Sequence, residues 1–370
     1  MADPPTWTYD LDATARFVAA RGLASEVEAP REPIDDAAWT RLVDDCDRHG
    51  LTGLLVDAIA EGELPVSPAQ RADAGRLEAG LVRRRISYER RVGPILSLFD
   101  DAGVEVRVLK GAAVARCDYP DDQLRPTSDL DLLVHGDRIE AASSLLVAVG
   151  GERTDPEPAP GWSSSVGKGA TIAMTGMNFE VDLHRILVWG PLGVRVPSAE
   201  LWDRRRPFDL AGVERFTLGR EETLLHACAH LLILGVVRAR EARDVAQMVQ
   251  HPALDVTRLL DLARRWGQES VLATALVFAG RELALDRDAH PLVGWAATYR
   301  VPRLDAVWLR AGAAYHRLHG VEQLAVFWEL RHAPRPWDAR RVLLRANFRP
   351  VEGTYDSPTT RLVRLVRRVG

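Results

Sequence analysis

Lysine is almost missing from this chain of 370 residues: of the 48 basic side chains only Lys110 and Lys168 are lysines. Where arginine serves nearly everywhere, a position that keeps a compact ammonium is a candidate for needing one. Cysteine is scarce as well. Cys46, Cys117 and Cys228 are odd in number and show no C-x-x-C spacing, which excludes a disulfide framework and a zinc ribbon. Long hydrophobic runs are absent too: the longest, around Leu231 to Val237, falls far short of the roughly 20 residues that span a bilayer. The opening MADPPTWTYD has no basic segment followed by an apolar one. The expectation is a soluble, cytoplasmic protein with no membrane partner. There is no internal repeat or low-complexity tract. The 46% hydrophobic content is ordinary for a globular chain and is enough for one large or two to three modest domains.

The densest chemistry lies in VEVRVLKGAAVARCDYPDDQLRPTSDLDLLV, from Val104 to Val134. It reads as a β-branched strand, a Lys110-Gly111 turn, a short helix and a second strand carrying Asp129 and Asp131. Alternate strand residues share a face, so the two carboxylates stand about 6 to 7 Å apart while Leu130 and Leu132 point into a core. Like charges at that separation call for a cation or for water between them. Paired oxygen ligands suit a hard ion such as Mg²⁺ that also holds phosphates. Downstream, NFEVDLHRIL (178 to 187) reads as another strand with Glu180, Asp182 and His184 on one face, which offers a third carboxylate. Upstream, Lys110 and Gly111 sit where a strand turns into a helix, and free backbone N–H groups there favour an anion.

Taken together, LKGAAVA, the tyrosine and arginine ahead of SDLDLLV, and the VDLH strand resemble the uncharacterised nucleotidyltransferase family. That family is a branch of the DNA polymerase β-like nucleotidyltransferase superfamily in which Lys-Gly replaces the usual Gly-Ser. The likeness is best over about residues 96 to 185. It implies an α+β fold with a polymerase β-like core and a small mixed sheet. It also implies a nucleoside triphosphate substrate, and Mg²⁺, with Mn²⁺ as the alternative, held by Asp129, Asp131 and Asp182 as metal-binding and catalytic acids. Glu180 is the rival third acid; Asp182 is preferred because it precedes Leu-His. Lys110, Gly111, Arg125 and Ser128 are expected at the triphosphate. Lys168, in the Gly/Ser stretch GWSSSVGKG, is a further candidate for a phosphate contact, although that stretch is not a Walker A loop because Gly169 stands where Ser or Thr would bind Mg²⁺.

Around this core, residues 1 to 95 read as helices, with Asp35 and Ser67-Pro68 as starts and Pro94 as a break or kink. The catalytic core is expected over 96 to 215, with an irregular stretch near 152 to 169 bordering the acceptor pocket and a hairpin at Thr175-Gly176-Met177. From 216 to 370 the pattern is a helical bundle with apolar spacings of three and four, ending in a basic tail. His226 and His230 have a zinc-compatible spacing, but with no third ligand in sight the expectation is a core helix with satisfied imidazoles. Arg243-Asp244 resembles a position of the same family branch, and the resemblance implies a structural ion pair there.

Residues 331 to 370 hold ten arginines against Asp338, Glu352 and Asp356, so the basic tail could meet an acidic partner. The expected activity moves a nucleoside monophosphate from a triphosphate to a hydroxyl on an unidentified acceptor. A small molecule, peptide or protein hydroxyl is favoured over RNA, because the chain as a whole is acidic, net −4. Two alternatives use the same residues: kinase-like phosphoryl transfer, and a catalytically silent binding module.

Overall fold

Three side-chain oxygens set the start of the helical N-terminal region. Asp12, Asp35 and Ser67 each accept a hydrogen bond from the backbone N–H three residues ahead, satisfying one of the free donors of a helix start. They open α1 (Ala13–Ala20), α2 (Asp36–His49) and, after α3 (Thr52–Ala60), the 34-residue α4 (Pro68–Asp101). The computed structural model describes residues 9–155, 161–165, 167–188, 196–233, 238–303, 305–306 and 309. Most of the helix expected over 303 to 320, and the basic tail, lie outside the described residues.

Of the break or kink expected at Pro94, the break does not occur: α4 runs unbroken through it. Proline removes one helical hydrogen bond, but Pro94 and Arg90 are both exposed, so water can serve the freed Arg90 carbonyl. Buried Val92, Ile95, Leu96 and Phe99 on the other side hold the helix on the core.

The central segment alternates strands and helices: β1 (Val106–Leu109), α5 (Lys110–Asp118), β2 (Leu130–Val134), α6 (Ile139–Ala148), β3 (Gly151–Arg153), α7 (Trp162–Ser165), β4 (Gly169–Met174) and β5 (Phe179–His184). The five strands form one mixed sheet in the order β1-β2-β5-β4-β3, with β2 and β5 parallel and the other neighbours antiparallel. The fold is α+β. The expected turn at Thr175–Met177 joins β4 to β5, with Asn178 taking the left-handed conformation at φ 47°. A second hairpin, β6 (Arg205–Leu210) and β7 (Val213–Leu218), had no counterpart in the sequence expectations. Its two-residue turn is Ala211-Gly212, both at positive φ, the conformation that suits a tight hairpin. Then come α8 (Arg220–Ile233), α9 (Ala239–Val249), α10 (Val256–Arg265), α11 (Glu269–Glu282) and α12 (Pro291–Thr298). No helix among the described residues is long and apolar enough to cross a membrane.

Two apolar clusters hold these layers. One gathers Leu130, Leu132 and Val134 of β2 with Val181 and Leu183 of β5, Ile139 and Leu146 of α6, and the second half of α4. The other joins α1, α2 and α3 to the C-terminal helices, so both ends of the described chain share a core, and Leu133 of β2 belongs to it. Side chains alternate across a strand, so Asp131 lies on the Leu133 face, toward the helical bundle. All five residues of β2 are buried, because helices cover both of its faces.

The N-terminal helices also meet the loop between α5 and β2 at close range. A Cβ on Gly53 of α3 would lie 2.1 Å from the Gln123 carbonyl oxygen and 2.8 Å from Leu124 Cα. Gly53→Ala must separate two backbones, and overpacking of this kind costs about 2 kcal/mol. Denaturant unfolding of the variant is expected to show that loss; an unchanged midpoint would mean the contact yields freely.

Candidate active site

Strand register brings the acids of two distant segments together. In the parallel pairing of β2 and β5, Asp131 stands opposite Asp182, and Leu133 stands opposite His184. Neighbouring strands lie about 4.8 Å apart, so the two carboxylates are side by side. His184 is fully buried, and its Nε2 lies 2.9 Å from Asp131 Oδ1 and 3.1 Å from Asp182 Oδ2. Asp131, Asp182 and His184 form the metal-compatible group found among the described residues, with one ligand atom from each lying within 4.8 Å of the others.

Both lysines of the chain end on this pair. Lys110 Nζ is 2.6 Å from Asp131 Oδ1, and Lys168 Nζ pairs with Asp182 Oδ2. Thr171 Oγ1 donates to Asp182 Oδ1 at 3.2 Å. Burial works against charge on Asp131, but Lys110 and His184 outweigh it and hold its carboxyl well below the usual carboxylate range. Asp182 is lowered too, with burial again opposed by His184 and then by Lys168. Burial also works against the Lys110 ammonium, and Asp131 overcomes that and raises it. Both acids therefore stay ionised at neutral pH.

The backbone explains how the lysines arrive. Lys110 is the first residue of α5 and has φ 43°, a left-handed conformation uncommon for a residue with a side chain. Lys168 precedes Gly169, where a Cβ would lie 1.6 Å from the Leu183 carbonyl oxygen. Only glycine lets β4 approach β5 this closely, and that approach sets Lys168 against Asp182.

The remaining expected residues divide. Asp129 lies one residue before β2 and is exposed, as is Ser128. Its carboxylate is outside the close group of Asp131, Asp182 and His184, yet Asp129 and Asp131 line one cleft. Tyr88 of α4 donates to the Asp129 carbonyl at 3.2 Å and fixes the chain there. Gly111 is buried at the start of α5 and also lines the cleft. Glu180 is exposed and stands on β5 two residues before Asp182, the residue paired with Asp131.

Arg125 lines the cleft, but its guanidinium is committed: Nε and Nη2 donate to Asp244 at 3.1 and 2.7 Å. Tyr119 Oη donates to the same carboxylate at 2.8 Å. The Asp244 partner is thus Arg125, a correction to the expected Arg243-Asp244 pair. Successive residues of a helix point in different directions, and Arg243 instead donates to the carbonyls of Ala19 and Arg21 and to Gln247.

The cleft encloses roughly 570 Å³, part of it open to solvent, between the sheet and the bundle. Its bundle wall is His226, Ala227 and His230 of α8 with Arg240, Glu241 and Asp244 of α9. The expectation of satisfied imidazoles fails at His226, whose buried Nε2 has no hydrogen-bond partner. Burial, and then the nearby Lys110, lower the basicity of His226 and His230 far below the ordinary histidine value. Neither Arg240 nor Glu241 stood out in the sequence, because a helix of this composition reads as a solvated charged face.

Two carboxylates and an imidazole, backed by ammonium groups and meeting the cleft through Asp131 and Lys110, can hold a divalent cation beside an anionic substrate. A crystal structure of ANT(2")-Ia in complex with adenylyl-2"-tobramycin is similar at a TM-score of 0.37 and 12% identity, over 49% of this chain and 97% of that one. A solution structure of the antibiotic-resistance factor ANT(2'')-Ia gives 0.38 and 14%, over 50% and 92%. No curated protein matches the chain by sequence. The model of the uncharacterised nucleotidyltransferase family matches residues 35–283, more than half of the chain and every element that lines the cleft, and the chain belongs to that family.

Proposed function

We propose that the protein transfers a nucleoside monophosphate from a nucleoside triphosphate to a hydroxyl of a second substrate in the cleft between sheet and bundle. The observation that carries this is the register of Asp131 against Asp182 on parallel strands, with Asp129 on the same cleft. Asp131 and Asp182, with Asp129 from the exposed edge, are the residues that would hold Mg²⁺ or Mn²⁺. Their donor set fits, because carboxylate oxygens suit both ions. The bound ion supplies charge neutralisation at the phosphates and acidifies the attacking hydroxyl.

The chain's own residues do the rest. Lys110 and Lys168, released in part from their carboxylates, offset charge on the triphosphate, and the Gly111 amide and Ser128 add donors at the start of α5 and beside Asp129. The depressed carboxyl of Asp182 suits ligation and orientation of the acceptor better than proton abstraction. Arg125 acts through Asp244, positioning the segment that leads into Asp129. The acceptor oxygen bonds to the α phosphorus as the bond to pyrophosphate breaks, and the hydroxyl proton passes to solvent water.

The experiment incubates the purified protein with each nucleoside triphosphate, labelled at the α or γ position, with Mg²⁺ or Mn²⁺. Pyrophosphate release, with the α label on an acceptor or freed as monophosphate by water, is the expected result. A γ label transferred with release of diphosphate, or no metal-dependent nucleotide binding at all, would overturn the assignment.

A further inference from the structure

Three side chains on the bundle wall of the cleft carry buried polar atoms without hydrogen-bond partners: His226 Nε2, Arg240 Nε and Glu241 Oε2. Buried polar groups are nearly always paired, and leaving one without a partner is costly. Three on one wall form a set that asks for a ligand. His226 and Glu241 are almost wholly buried, at 2% and 7% exposed.

The charges of the set narrow the ligand. Arg240 and Glu241 face each other at 3.5 Å between Nη2 and Oε1, and each neutralises the other. The imidazole adds no charge. A phosphate would need uncompensated cations here, and an ammonium would need an uncompensated carboxylate. A hydroxyl meets both demands, because it donates to the carboxylate while accepting from the guanidinium, and a neighbouring hydroxyl can serve the imidazole nitrogen. The wall lies across the cleft from Asp129 and Asp131, and it presents no row of free cations to follow a nucleic-acid backbone.

We propose that His226, Arg240 and Glu241 form the acceptor subsite, and that it takes an uncharged polyhydroxyl compound with adjacent hydroxyls, such as a sugar or cyclitol. This rests on the nucleotidyl-transfer reading for the word acceptor, but binding at the three side chains is tested apart from it.

The test titrates the full-length protein, isotopically labelled in histidine, without nucleotide or metal. The probes are glycerol, myo-inositol and methyl glucoside as neutral polyols, methyl glucosaminide as a cation, glucose 6-phosphate as an anion, and a short RNA. At least one neutral polyol is expected to shift the His226 Nε2 resonance saturably and to bind more tightly than its charged analogues. Glu241→Gln and Arg240→Gln should each weaken that binding about tenfold or more, the worth of a hydrogen bond to a charged group. Arg264→Ala, exposed on α10, should match the parent protein. No saturable shift with any neutral polyol overturns the proposal, even if both variants fail to fold. So does preferential binding of the charged sugars or the RNA, or undiminished polyol binding in the folded variants. Saturable polyol binding together with no metal-dependent nucleotide binding would leave this subsite standing and remove the transferase reading instead.

Discussion

Asp131→Asn is expected to abolish nucleotidyl transfer, with activity falling by at least about 10³-fold, because the charge that would hold the metal beside the phosphates is worth several kcal/mol. The same change should destabilise the protein, since it leaves Lys110 and His184 facing a neutral amide in a site where Asp131 is only 5% exposed. Breaking a buried pair by removing one partner costs roughly 3 kcal/mol or more. These effects can be separated. In the double variant Asp131→Asn with Lys110→Met the stranded ammonium is gone, so much of the stability should return while activity stays lost. Denaturant unfolding and the labelled-nucleotide assay, run on the parent, the single and the double variant, provide the check. A single variant that retains activity would remove Asp131 from the chemistry.

Asp244→Asn is expected to cost about 3 to 5 kcal/mol of folding stability, with no direct contact to nucleotide involved. Its carboxylate takes both arms of Arg125 and the Tyr119 hydroxyl, and these groups are buried. The pair ties the chain between α5 and β2 to α9 of the bundle, so its loss loosens the two walls of the cleft from each other. Arg125→Lys separates this role from a phosphate contact. A lysine cannot reproduce the two-pronged geometry, so the variant should lose stability first, as read from the unfolding midpoint. A raised nucleotide KM with an unchanged midpoint would instead place Arg125 on the triphosphate.

Some of these features were legible in order of residues alone, and the physical reason is locality. Capping residues such as Asp35 and Ser67 act on their own backbone, and the alternation of LDLLV and FEVDLH follows from strand geometry, so helix starts, strands and the shared face of Asp182 and His184 could be read directly. The family resemblance rested on the same short segments, and the family match now covers them. Pro94 does not end α4, because water can serve the freed carbonyl and the buried side holds the helix on the core, and exposure is not written in the local sequence. The hairpin of β6 and β7 escaped because its turn depends on Ala211 adopting a positive φ that alanine seldom takes.

The sequence by itself determined which residue types could perform the chemistry: two lysines in a chain of arginines, and acids at strand positions that share a face. Tertiary structure alone decided which of them meet. Parallel pairing set Asp131 beside Asp182 and left Asp129 at the edge, and both lysines were drawn onto that pair by its charge. Packing of the bundle gave Asp244 to Arg125 instead of Arg243, and it placed His226, Arg240 and Glu241 across the cleft with polar atoms to spare. Those pairings join residues that are tens to more than a hundred positions apart, and they follow from the direction each side chain takes when whole elements dock, which no local pattern encodes.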